Sequence, residues 1–328
     1  MNVLITGGAG YIGSHTLHAL RAKGYRAFAL DDLSTGYQAS LPAECLIQGD
    51  IADEALVERV LKDNRIEAVV ACAAKASVPD SVVDPGPYFD TNVAKGVRFL
   101  ECLRKSDVKS IVFSSSAAVY GDPETTPISE DDQKRPQSPY GLTKLMFEQM
   151  LEWYEKAYGI RYVCLRYLCA AGAAPEFGLG EDHRPERHLI PSVLLSVLGE
   201  RPHVEIYGAD YPTEDGTAIR DFVHVMDVAD AHISALGHLA SGGKSLVLNV
   251  GLGRGFSVKE VIRASERVTG CTVPVKLAGR RPGDPAVLVA NPQALIRALD
   301  WRPRFSQLEE IVATAWEWHK SNPTGFAT

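Results

Sequence analysis

Tyr140 and Lys144 stand four residues apart in Ser138-Pro139-Tyr140-Gly141-Leu142-Thr143-Lys144, a segment that reads as a helix start. Ser138 suits the N-cap and Pro139 the first helical position. On a helix that spacing puts both side chains on one face. A phenol with its ordinary pKa of about 10 is a poor base at neutral pH. A neighbouring ammonium favours the phenolate and brings it into the range where it takes a proton from an alcohol. Taken alone, the pair also fits an exposed helix face. Ser114-Ser115-Ser116 follows an apolar strand-like run. Carboxyl ends of parallel strands are where ligands bind in such sheets, and Ser116 there can relay a proton to Tyr140.

A second constellation opens the chain. Gly7-Gly8-Ala9-Gly10-Tyr11-Ile12-Gly13 follows an apolar strand and precedes a helical pattern. Glycines in that context allow a tight turn, bring backbone N–H groups up to a pyrophosphate, and let Gly13 pack helix on strand. The helix N-terminus supplies unpaired N–H groups and partial positive charge. Asp31 and Asp32 end the second apolar run, where a carboxylate accepts hydrogen bonds from ribose hydroxyls and repels a 2′-phosphate. The cofactor expected is therefore NAD, with Asp50 and Ile51 as weaker candidates for contacting its adenine. The NAD⁺ ring adds positive charge beside Tyr140, and Lys144 can also bond the nicotinamide ribose. Asn92 is a further candidate, although it also reads as the cap of the helix before the Ser114–Ser116 run.

The elements that must position these residues alternate. Apolar runs at Asn2–Thr6, Arg26–Leu30, Glu44–Gln48, Ala68–Ala71, Ser110–Ser114 and Arg161–Arg166 read as strands. Helical patterns at Ser14–Lys23, Glu54–Asn64, Val93–Lys105 and Tyr140–Tyr158 lie between them. That alternation predicts a Rossmann-type α/β fold, a doubly wound parallel sheet with right-handed crossovers. Residues 1–170 are expected to form this NAD-binding domain. Beyond them, loops at Gly172–Arg187 and Gly208–Thr217 flank a helical stretch at Leu189–Leu198. The region 171–328 reads as a smaller α/β lid, with the chain returning to the first sheet around 221–250 through Leu246–Val250.

Lys plus Arg number 34 against 41 Asp plus Glu, a net charge of −7, which argues against nucleic-acid or anionic-membrane partners. No signal peptide precedes the first strand, and no apolar run approaches the ~20 residues of a spanning helix, so a cytoplasmic protein is expected. Cys45, Cys72, Cys102, Cys164, Cys169 and Cys271 form no CxxC, and no Cys/His cluster has zinc-ligand spacing; no metal is expected.

Together the glycine loop, Asp31, Ser114–Ser116 with Val119-Tyr120-Gly121, and the Tyr140/Lys144 pair resemble the extended short-chain dehydrogenase/reductase superfamily. Within it, Asp31–Gly36, Pro136–Gln149, Gly178–His183, Tyr207–His232 and Arg280–Asp284 are similar to the UDP-glucose 4-epimerase (UDP-galactose 4-epimerase) family. The resemblance implies a UDP-sugar substrate whose C4 is oxidised, rotated and re-reduced on retained NAD, with Tyr140, Lys144 and Ser116 as catalytic residues. It also implies cofactor contacts from Gly7, Gly10, Tyr11, Ile12, Gly13, Lys75, Asn92, Ser114 and Tyr167. Arg220 and Arg281 would grip the diphosphate, Asp284 the uridine ribose, and Leu189 and Tyr207 the uracil. A homodimer through the helices at Val93–Lys105 and Tyr140–Tyr158 is expected on the same ground.

Several positions depart from the family pattern. Leu168-Cys169 replaces the usual Phe-Asn, which weakens a substrate contact because a thiol is a poor donor and acceptor. Ala71 replaces a common His, and Lys75 comes one place early. Leu288 takes a gate position held by Tyr where 2-acetamido sugars are excluded. These changes surround the sugar and leave the hexose open. Without the resemblance, Arg220-Asp221 reads as a surface pair and Arg280-Arg281 as a solvated basic spot. His183 and His188 read as loop structure lacking a carboxylate partner, with His188 kept among the substrate-side candidates. A nucleotide-sugar 4,6-dehydratase would carry Thr-Asp-Glu where Ser114-Ser115-Ser116 stands. A uronate epimerase or decarboxylase is a nearer alternative, and a non-catalytic NAD-binding regulator is the contrasting class.

Overall fold

A computed structural model describes residues 1–281 and 284–327. Six parallel strands come first: β1 (Asn2–Thr6), β2 (Arg26–Asp31), β3 (Leu46–Gln48), β4 (Ala68–Ala71), β5 (Ser110–Ser116) and β6 (Arg161–Tyr167). Short strands β7 (Cys169–Ala171), β8 (Val204–Tyr207), β9 (Ile219–Arg220) and β10 (Phe222–His224) follow. Then β11 (Leu246–Val250) returns to pair with β6, giving the seven-stranded order β11-β6-β5-β4-β1-β2-β3. The order reverses between β1 and β4, and that switch point opens a crevice at their carboxyl ends.

The strands are apolar on both faces because helices cover both. Val3 and Ile5 of β1 pack with Leu17 and Leu20 of α1 (Tyr11–Ala22), while Leu4 faces the opposite layer. That second layer holds α2 (Glu54–Asp63), the short helices α3 (Val78–Val83) and α4 (Gly86–Phe89), α5 (Lys95–Lys105) and α6 (Pro139–Tyr158). Beyond β7 come α7 (Leu189–Val197) and α8 (Val225–Ala240), and α8 packs beside α1. The rest is α9 (Val258–Thr269), α10 (Gln293–Leu299) and α11 (Leu308–Ser321), with β12 (Phe256–Ser257), β13 (Val275–Ala278) and β14 (Val287–Leu288). These strands make the small ladders β12-β9-β14, β13-β8 and β10-β7. Among the described residues no helix is long and apolar enough to cross a membrane.

The short helices α3 and α4 and most elements after α7 were not anticipated from the sequence, and in the elements that were, the differences fall at their ends. β5 runs on to Ser116, paired with Tyr167, because the serine hydroxyls find buried partners and the ladder continues past the apolar residues. α1 begins at Tyr11 rather than Ser14, directly from the glycine loop. The helix before β5 has no cap at Asn92. Instead Asp90–Ala94 is a π-turn joining α4 to α5 without a break. Such widened turns cluster at functional sites because they re-aim one side chain.

Candidate active site

The glycine loop is shaped by close approach. Gly7 has φ +67°, and a Cβ there would lie 2.6 Å from the backbone nitrogen of Ala73 after β4. A Cβ on Gly13 would lie 2.1 Å from the carbonyl oxygen of Gly7, so helix and turn can meet only through glycine. Gly10 stands at the α1 N-cap with no side-chain cap, and the first turn carries no acidic residue. That leaves N–H groups and the positive end of α1 for an anion. Asp31 is buried at the end of β2. Its Oδ2 accepts the N–H of Ala9 at 2.9 Å and its Oδ1 that of Leu33 at 2.8 Å, and burial raises its pKa. Each carboxylate oxygen keeps a second lone pair for a ribose hydroxyl. Asp32 beside it is exposed, and Asp50 at the end of β3 pairs with Lys95 of α5. The Tyr11 hydroxyl donates to Gly172 O at 2.7 Å, so its side chain braces the loop after β7.

Ser138 caps α6 as the sequence predicts, accepting the N–H of Gly141 at 3.1 Å. Lys144 is buried one turn on. Its Nζ donates to Ser114 O at 2.8 Å and lies 5.8 Å from the Tyr140 ring centre, and burial brings its pKa down to about 8. The expected easing of Tyr140 toward phenolate is not met in the protein by itself. Burial raises the phenol's pKa, with only the Ser116 hydroxyl beside it pulling the other way, because the ammonium is turned to the strand carbonyl. Asn92 clamps this region: its Nδ2 donates to Lys75 O and to Thr143 Oγ1, both at 3.0 Å, and its Oδ1 accepts Lys75 N at 2.8 Å. A cleft opens between Thr6, Ile51, Ala73, Asn92, Phe113 and Lys144.

Sequence reasoning missed what holds this group. Glu148 and Arg166 form a buried ion pair, Nη2 to Oε2 at 2.6 Å. Glu148 also accepts the Ser115 hydroxyl, and Arg166 Nη1 donates to the Tyr120 hydroxyl at 2.8 Å. Tyr120 in turn donates to Asn249 Oδ1 of β11 at 2.7 Å. His232 of α8 was missed too: its Nε2 meets the Ser114 hydroxyl at 2.8 Å, and burial pulls its pKa down to about 4. A second cavity gives a clue to the other omission. It is lined by Gly10, Tyr11, Asp182 and His183, and beside it Glu181, His183, Glu186 and His188 converge. Both histidines therefore have carboxylate partners, against the sequence reading, through a spacing of i, i+2, i+5 and i+7 that could have flagged them. Burial alone would lower the pKa of His183, yet Glu181 and Glu186 lift it to about 9.

On the other side of the crevice, Arg220 is no surface residue. It ion-pairs with Asp284, and Leu288 of β14 stands opposite it in register. Asp221 is fully buried and accepts N–H groups from Leu252, Gly253 and Ala290, tying three chain segments together. Arg280 and Arg281 are exposed, yet neither is simply solvated: Arg280 pairs with Asp210, and Arg281 stacks 3.9 Å from the Tyr207 ring centre. Cys169 opens β7 against β10, and burial pushes its thiol up to about 11. Leu168 and Leu288 pack on one apolar cluster of Ala117, Val119, Tyr120 and Ile128, directly after Ser116. Leu189 starts α7, half-buried.

Fold and site together define a dinucleotide-binding α/β enzyme of the short-chain type, with a Tyr/Lys pair at the carboxyl ends of β5 and β6. The chain belongs to the NAD dependent epimerase/dehydratase family, whose model matches residues 3–251. It is 47% identical to the UDP-glucose 4-epimerase of Halalkalibacterium halodurans, over 100% of this chain and 98% of that one. The crystal structure of UDP-glucose 4-epimerase from Brucella ovis in complex with NAD superposes with a TM-score of 0.94 at 43% identity, covering 96% of this chain and 97% of that one. The enzyme from Bifidobacterium longum, in complex with NAD⁺ and UDP, superposes with a TM-score of 0.93 at 36% identity, covering 99% and 100%.

Removing Glu148 strands Arg166 as an uncompensated buried charge, so Glu148→Ala is expected to destabilise the protein by about 3–5 kcal/mol. Replacing both partners by well-packed apolar residues (Glu148→Leu with Arg166→Met) is expected to cost much less in denaturant unfolding. A second expectation concerns pH. His232 is neutral in the folded chain down to about 4, against about 6.5 unfolded. Between those values the unfolded state binds the extra proton, so this histidine's contribution is present above about 6.5 and lost as pH falls toward 4. His232→Gln should therefore flatten stability against pH in that window by about 1.4 kcal/mol per pH unit relative to wild type.

Proposed function

We propose that this chain interconverts UDP-glucose and UDP-galactose by NAD-dependent epimerisation at C4 of the hexose. The observation that carries the reading is the convergence of Tyr140, Ser116 and Lys144 at the carboxyl ends of β5 and β6 beside the cavity over β1 and β4. The uncapped α1 N-terminus and a loop with no room for side chains fit a dinucleotide diphosphate on Gly7, Gly10, Tyr11, Ile12 and Gly13. Asp31 and Asp32 take the adenosine ribose, and Asp50 and Ile51 flank the adenine. Lys75, Asn92, Ser114, Lys144 and Tyr167 line the nicotinamide end. When bound, NAD supplies a reversible two-electron acceptor for the sugar carbon.

The protein's own residues do the rest. Tyr140, kept protonated by burial, becomes a base once positive charge is added beside it; it takes the proton of the 4-hydroxyl and later returns it. Ser116 passes that proton, and the Lys144 ammonium steadies the phenolate. Arg220 and Arg281 hold the diphosphate by guanidinium forks, which bind phosphate oxygens in two-point fashion. Asp284 takes the uridine ribose, with Leu189 and Tyr207 against the uracil and His188 and Cys169 at the sugar end. Returning the electrons to the opposite face requires a hexose that turns while its nucleotide stays fixed. Cys169 in place of a stronger donor, and the aliphatic wall of Leu168 and Leu288, loosen the hold on the sugar, by about 1.5–3 kcal/mol for one lost bond to a charged group. The same wall lacks an aromatic gate, so UDP-N-acetylhexosamines belong in the substrate range tested.

Purified protein incubated in turn with UDP-glucose, UDP-N-acetylglucosamine and UDP-glucuronate, and followed by NMR, is expected to form UDP-galactose from the first. Interconversion of none of the three overturns the reading. Tyr140→Phe should lose most turnover, roughly 10²–10⁴-fold, while keeping bound NAD; unchanged turnover removes Tyr140 from its role.

The chain is also read as a homodimer. Val97 of α5 and Leu142, Trp153 and Tyr158 of α6 are large apolar residues left 37%, 39%, 68% and 46% exposed on neighbouring helices. Trp153→Arg is expected to shift the mass measured by light scattering from two chains to one.

A further inference from the structure

Glu181, His183 and Glu186 are not used by the reaction as described, and together with His188 at the edge of the sugar site their geometry points to a ligand of their own. We propose that these four side chains form a binding site for one divalent transition-metal cation of the zinc type. One ligand atom from each, and every pair of those atoms, lies within 4.8 Å. His188 Nδ1 is 2.8 Å from Glu181 Oε1 and 2.9 Å from Glu186 Oε1. His183 Nδ1 is 3.3 Å from Glu181 Oε1 and 3.6 Å from Glu186 Oε2. Zinc bonds of about 2.0–2.2 Å in a tetrahedron set neighbouring ligands roughly 3.4 Å apart, and the four histidine–carboxylate separations bracket that spacing at 2.8, 2.9, 3.3 and 3.6 Å. Two imidazole nitrogens with two carboxylate oxygens suit zinc better than calcium or magnesium, which take oxygen shells.

An independent observation is the state of the buried groups. The Glu181 and Glu186 side chains are 4% and 6% exposed, and among the described residues the two histidines are the only cations paired with either carboxylate. The buried Nδ1 of His183 makes no hydrogen bond. Carboxylates that deep require compensating charge, and one dication can take the place of the two imidazolium protons and leave the cluster neutral. The outer shell is in place too. Glu186 Oε1 accepts the backbone N–H groups of Arg187 at 2.7 Å and His188 at 2.8 Å, which fixes its orientation. The site joins three parts of the fold. His183 stacks edge-on to Tyr11 of the glycine loop, Glu181 and Glu186 belong to the long loop, and His188 leads into α7. The cation is a structural clasp holding that loop against the cofactor side, and the half-exposed His188 ring gives it an entry path.

Full-length protein stripped with a chelator, desalted and titrated with zinc should take up one zinc per chain by elemental analysis and melt at a higher temperature. Cobalt in its place should give the intense visible absorption of a tetrahedral site. The double variant Glu181→Gln/His183→Gln should weaken zinc binding by more than ~100-fold, since loss of outer-shell partners alone costs 10–100-fold. His183→Cys, which supplies a new zinc ligand, should retain stoichiometric binding. Absence of stoichiometric zinc in the wild-type chain overturns the proposal, and that measurement does not depend on any variant folding. Wild-type affinity in the double variant overturns it equally, by putting the metal elsewhere.

Discussion

Everything at the reactive end of this molecule hangs on one buried charge pair. Glu148 sits two turns beyond Tyr140 on α6, and Arg166 lies on β6; their contact fixes how the helix lies across the sheet. Through Ser115 the pair reaches β5, and through Tyr120 and Asn249 it reaches β11, so four elements share one hydrogen-bonded chain. In a low-dielectric interior such a chain is worth having only if every member is satisfied. Here each is, and the result is a fixed angle for the Tyr140 and Lys144 side chains rather than added stability as such.

That rigidity contrasts with the side of the crevice where we place the sugar nucleotide. Arg220, Asp284, Arg281 and Tyr207 come from short ladders and loops joined by Asp221, and the wall facing Ser116 is plain aliphatic packing. A reaction that presents both faces of one carbon to one acceptor needs this division. The base must not move, and the sugar must.

Much of the fold was legible because it is written in periodicity. Strands buried on both faces read as continuous apolar runs, and helices between them carry the 3.6 repeat, so the doubly wound sheet followed from spacing alone. The glycine loop and the Tyr140/Lys144 pair were legible because their chemistry demands fixed separations in sequence. What stayed hidden was long-range polar matching. Nothing in the spacing of Glu148, Arg166, Tyr120 and Asn249 says that they meet, and Ser114 gives no hint of His232, 118 residues away. The π-turn at Asn92 was invisible because a widened turn leaves the apolar pattern almost unchanged. Glu181 to His188 is the opposite case: the four residues are close in sequence, but two of them are carboxylates, which a Cys/His spacing does not include.

The return of β11 to the sheet, with α8 laid against α1, has a consequence for synthesis. The layer beneath Val3, Ile5, Val112 and Val163 is completed partly by Val228, Ala231, Leu236 and Leu239 of α8. While the ribosome adds the roughly 70 residues between β6 and the end of α8, at ~5–20 residues per second, one side of the six-stranded sheet stays partly bare for several seconds. The nascent chain is therefore sticky on that side until α8 has been made, and its yield in a cell depends on what shields that surface in the interval.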